Sequence, residues 1–329
     1  MKEMLKCTAL AVLLLSTIAS SGCLDGGTGG DDERTIVLYG FSVKGEVFDD
    51  SIIPAFKSYW KETRGEDVNF VTNYAGSGTI TNQVITGAPA EIMILSTEWD
   101  ALKLKDEGLV TTDWNGFPHQ GTITRSPFII LTRNGNPLEV KDFRDLERSG
   151  VEVVHADPIS SGGACWSVFA VYGSELRSSG SSENATSLLE GVVDNVISWQ
   201  SSARKALSQF TLEIGDAMIT YENDGLLAIK EGYDYALVYP RSTIFSEHKV
   251  VLVDRNIGSG EREMMEAFVD FLYTDEIQGS FVQNNFRSVN ETLNSDYPVI
   301  EDPFTVSYLG GWKKAHEEII DGIFKDIKG

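Results

Sequence analysis

Apolar residues along the chain follow two rhythms. Short β-type runs alternate with stretches in which apolar residues recur every three or four positions. Residues 35–41 (TIVLYGF) predict a strand, and Phe48, Ile52, Phe56 and Trp60 then mark one face of an amphipathic helix. Residues 68–72 predict a second strand followed by a helix from about Thr79, residues 91–95 a third strand and residues 127–132 a fourth. A second series starts at residues 151–155, with helices after Gly163 and around 188–201 and strands at 217–220, 235–239 and 250–253. A helix then carries Met264, Phe268, Phe271 and Leu272 on one face. A last helix from Gly311 buries Trp312, Ile319, Ile320 and Ile323. Strands alternating with helices, without a repeat of fixed period, predict an α/β fold.

The junctions from strand to helix carry the chemistry. Gly40-Phe-Ser42, Ala75-Gly-Ser77-Gly78, Ser160-Ser161-Gly162-Gly163 and Thr220-Tyr221 all place small or hydroxylated residues there. In open α/β sheets ligands bind outside the carboxyl ends of the strands. Helix N–H groups and the positive end of the helix dipole point at that position, which suits an anion. At any one junction Ser and Gly are merely good helix starts. Four together favour a binding site.

The N-terminus sets the compartment. Lys2 and Lys6 flank a short charged start, residues 7–18 are almost wholly apolar, and Ala19-Ser-Ser-Gly-Cys23 closes the run with small residues. This is the layout of a secretory signal, shorter than the roughly 20 apolar residues a spanning helix needs. Small residues ending in Gly-Cys resemble a lipobox, with Ser20 where that motif usually has Leu. The expected organisation is a signal over residues 1–23 ending at a lipidated Cys23, then a flexible tether over 24–34. The protein is then exported and held at the outer face of the membrane by lipid.

Of three cysteines, Cys7 and Cys23 belong to the signal, so Cys165 has no partner for a disulfide within the folded body. The 49 acidic against 27 basic residues give a net charge of -22. Nucleic acid is disfavoured as a partner, since phosphate backbones call for basic patches. The same charge repels a dianion at long range, so an anion must be captured by short-range, buried donors.

At Asp157-Pro-Ile-Ser-Ser-Gly-Gly-Ala-Cys-Trp166 the chain resembles the sulfate-binding family of periplasmic proteins, which has Asn-Pro-Lys-Ser-Ser-Gly-Gly-Ala-Arg-Trp there. Ala55-Phe-Lys-Ser-Tyr-Trp60, Gly76-Ser-Gly78, Arg133-Asn-Gly-Asn-Pro137, Ile219-Thr-Tyr-Glu-Asn223, Leu272-Tyr-Thr-Asp-Glu-Ile-Gln278 and Gly310-Gly-Trp-Lys-Lys314 follow in the family's order. The resemblance implies a type II periplasmic-binding-protein fold, two α/β lobes closing on a ligand. The lobes are expected over 35–124 with 245–329, and over 125–244, with hinge segments near 123–129 and 239–245. It further implies an ABC importer, with a membrane permease and its ATPase as partners and no cofactor. The ligand it implies is a tetrahedral oxyanion, sulfate or thiosulfate favoured, with molybdate and tungstate as alternatives. Carried over by position, Ser161 supplies a hydroxyl, Gly162 and Gly163 backbone N–H groups, and Ser42, Ser77 and Ala203 further N–H groups. Tyr221 takes the place of an indole donor.

Four departures bear on the ligand. Lys becomes Ile159, Arg becomes Cys165, Asp becomes Ser42 and Trp becomes Tyr221, the last two within the ligand shell. An enzyme reading also has a foothold, because Gly163-Ala-Cys-Trp166 matches part of the papain-type signature and His316 lies downstream. Against it, Gly162 stands where that signature has its first Cys. His119, His155, His248 and His316 are scattered, with no zinc-type spacing, so they are expected on the surface or behind the site, and no metal is expected. Glu222 and Asp224 would repel an anion and are expected to point away into hinge or interlobe contacts.

Overall fold

The computed structural model describes residues 34–329; the expected signal with Cys23, and most of the expected tether, lie outside the described residues. β1 (Arg34–Phe41) buries Ile36, Leu38 and Phe41 and ends in a three-residue 3-10 turn, Ser42–Lys44. α1 (Gly45–Val47) runs through a π-helical turn (Phe48–Ile52) into α2 (Ile53–Arg64). Phe48, Ile52, Phe56 and Trp60 are all buried, as their spacing predicts. β2 (Val68–Ala75), α3 (Ser77–Ile85), β3 (Ile92–Leu95), α4 (Glu98–Asp106) and β4 (Thr122–Arg133) follow.

The second series comprises β5 (Val153–Ala156), α5 (Gly162–Ser179), α6 (Ser182–Asp194), β6 (Val196–Gln200), α7 (Ala203–Thr211), β7 (Ala217–Tyr221), α8 (Glu222–Lys230) and β8 (Tyr235–Val238). The chain then returns through β9 (Ser242–Leu252), α9 (Arg262–Phe271), α10 (Asp275–Gln283), β10 (Arg287–Ser288) and β11 (Asp302–Phe304). It ends in α11 (Trp312–Ala315), a π-helical segment (His316–Phe324) and α12 (Lys325–Lys328).

The strands form one curled mixed sheet in the order β2-β1-β3-β9-β4-β7-β5-β6. β4 holds its two halves together. Its first part, through Pro127, pairs with β9, whereas Phe128 to Arg133 pair with β7 and β8. The strand therefore passes from one α/β layer to the other and changes partners between Pro127 and Phe128. Helices cover both halves, which is the architecture of a type II binding protein.

Two elements depart from the hydrophobic pattern. The helix expected over 188–201 stops at Asp194, and Val196-Ile-Ser-Trp-Gln200 pairs in parallel with β5. Its β-branched and aromatic residues suit a pleated strand better than a fourth helical turn. The C-terminal helix lies on the second half of the sheet as well as the first. Trp312 packs edge-on against Trp166 of α5 at 4.5 Å and Phe324 against Trp199 at 5.7 Å, while Lys328 pairs with Asp157 at 2.6 Å. On the other side His316 stacks on Trp99 of α4 at 4.2 Å. Among the described residues no helix is long and apolar enough to cross a membrane.

Candidate functional site

Three helices of eight residues or more begin at one place. α5 starts after Ser161, whose backbone is extended (φ -121, ψ 116) and whose hydroxyl makes no capping hydrogen bond. The first N–H groups of any helix have no partner within it. Here the first two belong to Gly162 and Gly163, which pack tightly against the ends of β3 and β7. A Cβ on Gly162 would lie 2.6 Å from the Ser96 hydroxyl oxygen, and one on Gly163 would lie 2.9 Å from the Tyr221 ring. Only glycine lets these backbones approach so closely.

α3, from the first half, starts against the same loop. A Cβ on Gly76 would fall 2.1 Å from the Ser160 carbonyl and 2.6 Å from that of Ser201. The Thr79 N–H donates to the Ser160 carbonyl at 3.3 Å, so the two halves are hydrogen-bonded across the cleft. α7 is capped by Ser202, which accepts from the Lys205 N–H at 3.2 Å. The Ala203 N–H, one position into the helix, is not consumed by that cap. Ser42, half-buried, opens the 3-10 turn after β1. Its neighbours bracket the site: the Phe41 ring lies 6.0 Å from that of Tyr221, and Arg204 donates to the Val43 carbonyl at 3.5 Å.

The structure thus gathers the neighbourhoods of Ser42, Ser77, Ser161, Gly162, Gly163, Ala203 and Tyr221 at one interface. Two of these side chains are already engaged. The Ser77 hydroxyl accepts from the Ser96 N–H at 3.1 Å, and the Tyr221 hydroxyl is 2.6 Å from that of Ser96. Burial pushes the Tyr221 phenol well above its ordinary pKa, so it stays a protonated donor. Ser96 is the residue that sequence reasoning missed. Its carbonyl accepts from the Trp166 indole at 2.7 Å, so it ties the end of β3 to β7 by its side chain and to α5 by its main chain. The signal was present, since Leu95-Ser-Thr97 is another strand-to-helix junction with hydroxyls.

Charges around the cradle are neutralised locally. Glu222 and Asp224, both fully buried in the first turn of α8, are paired with arginines. Arg287 clamps Glu222 through two hydrogen bonds, at 2.7 and 2.8 Å. Arg204 sits 2.9 Å from Asp224, a close ion pair whose N–H is not aimed along the contact, and reaches Glu46 of the first half at 2.9 Å. Burial raises the Asp224 pKa, opposed by Arg204 and by a hydrogen bond from Thr220.

The Cys165 thiol is buried and donates to the Pro158 carbonyl at 3.4 Å. Burial pushes its pKa up, the opposite of what an activated nucleophile needs. Three of the four histidines, His155, His248 and His316, are buried rather than on the surface. Among the described residues no group of His, Cys, Asp and Glu could hold a metal ion.

Arginines gather at another place. A cavity of about 640 Å³ is lined by Arg144, Arg177 and Arg241. Each is already matched: Arg144 to Glu175 at 2.5 Å, Arg177 to Asp302 through two hydrogen bonds, Arg241 to Glu301 at 2.7 Å. The cavity has no spare positive charge to offer.

Comparison with known proteins agrees with this geometry. Residues 45–287 match the family of bacterial extracellular solute-binding proteins. A sulfate-binding protein of Synechococcus elongatus is 35% identical over 330 residues, covering 96% of this chain and 93% of that one. A sulfate-binding protein of Escherichia coli is 31% identical over 275 residues, 80% of this chain and 83% of its own. Among solved structures, the sulfate-binding protein SubI from Mycobacterium tuberculosis superposes with a TM-score of 0.80 at 29% identity, covering 87% of this chain and 99% of that chain. Helix starts from both halves converging on one cleft, with charges paired off around them, are what such a protein requires, and the chain belongs to the bacterial extracellular solute-binding proteins, in their sulfate-binding family.

Proposed function

We propose that this protein captures a tetrahedral oxyanion, sulfate or thiosulfate, and delivers it to a membrane permease driven by its ATPase. The observation that carries the reading is the meeting of α3, α5 and α7 at their N-terminal ends, with Gly162 and Gly163 pressed against Ser96 and Tyr221 of the facing elements. Relatives named for both anions support it, among them a thiosulfate-binding protein of Pseudomonas aeruginosa at 28% identity over 83% of this chain. In this reading Ser161 donates its hydroxyl. Ser42, Ser77, Gly162, Gly163 and Ala203 donate N–H groups, and the Tyr221–Ser96 pair contributes the one hydroxyl proton that it does not use internally. Charge-assisted hydrogen bonds of this kind are each worth about 1.5–3 kcal/mol, so several together offset desolvation and closure.

Closure follows from the same parts. The lobes divide where β4 and β9 cross, with the tail from Trp312 grouped with the second lobe through Trp166 and Trp199. Arg204 then acts as a latch between them. The signal and Cys23 place the protein at the outer face of the membrane on a lipid anchor, which mass spectrometry of the mature N-terminus and of Cys23→Ser would test.

Calorimetry with sulfate, thiosulfate, molybdate, tungstate and phosphate tests the ligand. Sulfate or thiosulfate should bind, and monohydrogen phosphate should bind about tenfold or more weakly, because its proton finds no acceptor in a cradle of donors. Heat from molybdate alone would move the assignment to the larger oxyanions. No heat from any of the five would refute oxyanion capture.

A further inference from the structure

Lys44 is buried without a counter-charge, two residues after Ser42. It is 0% exposed, and its Nζ donates to the Thr124 hydroxyl at 2.5 Å. The rest of its surroundings is aromatic. The Phe286 ring centroid lies 3.5 Å from the nitrogen, that of Phe281 5.0 Å and that of Phe41 5.8 Å. Among the described residues no carboxylate pairs with it.

The titratable group facing Lys44 is His248 of β9, whose Nδ1 lies 2.8 Å from the same Thr124 hydroxyl. The His248 ring packs on Phe41 at 4.8 Å and on Tyr221 at 5.5 Å, so Lys44 sits directly behind the cradle. The nearest acid in sequence, Glu46, is exposed and turned to Arg204. An uncompensated buried cation is costly, so this position gains from a negative charge brought close to it.

We propose that Lys44 is the counter-charge of the oxyanion site, taking up a proton from solvent as a dianion closes into the cradle. This inference rests on the oxyanion reading above. Before binding, burial holds the Lys44 pKa well below its ordinary value and does the same to His248, so the empty cradle favours the neutral amine. A dianion in the cleft favours the ammonium, and the aromatic faces stabilise it by cation–π attraction. The bound-state pKa is therefore higher than the free-state one. Proton uptake occurs between the two values, and affinity falls as pH rises through that window. Lys44 also answers the problem set by a net charge of -22. A charge on Lys44 offsets at short range what the surface repels at long range.

Calorimetry of the full folded chain with sulfate, in buffers of different ionisation enthalpy, reads the proton directly. The wild type should show binding heat that varies with buffer, in the sense of uptake, and affinity that falls as pH rises while sulfate itself stays a dianion. Lys44→Met, which keeps an unbranched side chain in the aromatic cage, should bind sulfate at least about tenfold more weakly and without buffer dependence. Lys44→Arg keeps a permanent charge, so it should retain binding and lose the uptake, and it serves if Lys44→Met does not fold. Buffer-independent heat in the wild type would overturn the proposal. So would unchanged uptake in either variant, which would assign the proton to His248. Failure of the wild type to bind any oxyanion would instead bring down the reading of the site itself, and this inference with it.

Discussion

α5 and α8 begin within one contact of each other, yet their first turns are built in opposite ways. α5 opens with Ser161, Gly162 and Gly163 and has no acidic residue in its first turn. α8 opens, directly after Tyr221, with Glu222 and Asp224. The positive end of α8 is thus filled by its own carboxylates, and Arg287 and Arg204 balance what the helix dipole does not. The positive end of α5 carries no acidic side chain and no side-chain cap of its own. A helix start in this cleft is therefore structural or receptive according to whether its own side chains occupy it. Removing a group from each should have opposite consequences: lost stability at α8, lost affinity at α5.

The largest effect is expected at α8. Arg287→Met leaves the Glu222 carboxylate buried without its counter-charge, at a cost of about 3–5 kcal/mol in stability by denaturant unfolding. The folded fraction should still bind the anion. A loss of binding without a loss of stability would erase the contrast between the two helix starts. At α5, Ser161→Ala removes one hydroxyl donor from the cradle and should weaken anion binding by about 1.5–3 kcal/mol, with little change in the unfolding midpoint, since that hydroxyl caps nothing.

The foundation of α5 gives a pH-dependent version. His155 of β5 pairs with the Ser167 hydroxyl at 2.6 Å and with the Ala156 carbonyl at 2.5 Å. Since that carbonyl can only accept, the ring carries its proton on Nδ1. Burial depresses its pKa from 6.5 to about 4. The unfolded chain therefore binds the extra proton first. The stability that neutral His155 contributes is complete above about pH 6.5 and drains away as pH falls toward about 4. Urea midpoints across that window should fall, and should fall less steeply in His155→Asn. The smallest effect belongs to Tyr221→Phe, about 1 kcal/mol in affinity, because the phenol shares its proton with Ser96 and only one hydroxyl of the pair is replaced.

Much of this was legible in residue order. Phe48, Ile52, Phe56 and Trp60 specify their helix through burial at a constant spacing, and the strands between the junctions read as apolar runs. The junctions themselves were legible because Gly and Ser there have few other uses at such density. What could not be read was pairing across the cleft. Nothing local in Leu95-Ser-Thr97 says that Ser96 will meet Tyr221 and Trp166, since those contacts join residues 125 and 70 positions apart. Lys44 was hidden for a related reason. A lone Lys after a strand reads as solvent-exposed, and only the packing of Phe281 and Phe286 from the returning chain encloses it. The strand Val196–Gln200 was mistaken for helix because its apolar residues continue those of α6 without a glycine or proline to break them.

The central claim is that the open end of α5 holds the anion, and anomalous scattering from selenate bound in crystals tests it without any substitution. Selenium is tetrahedral in selenate and matches sulfate in charge. A single strong peak within hydrogen-bonding distance of the Gly162 and Gly163 N–H groups, facing the starts of α3 and α7, is the predicted result. A peak instead among Arg144, Arg177 and Arg241, in the larger cavity, would contradict the account.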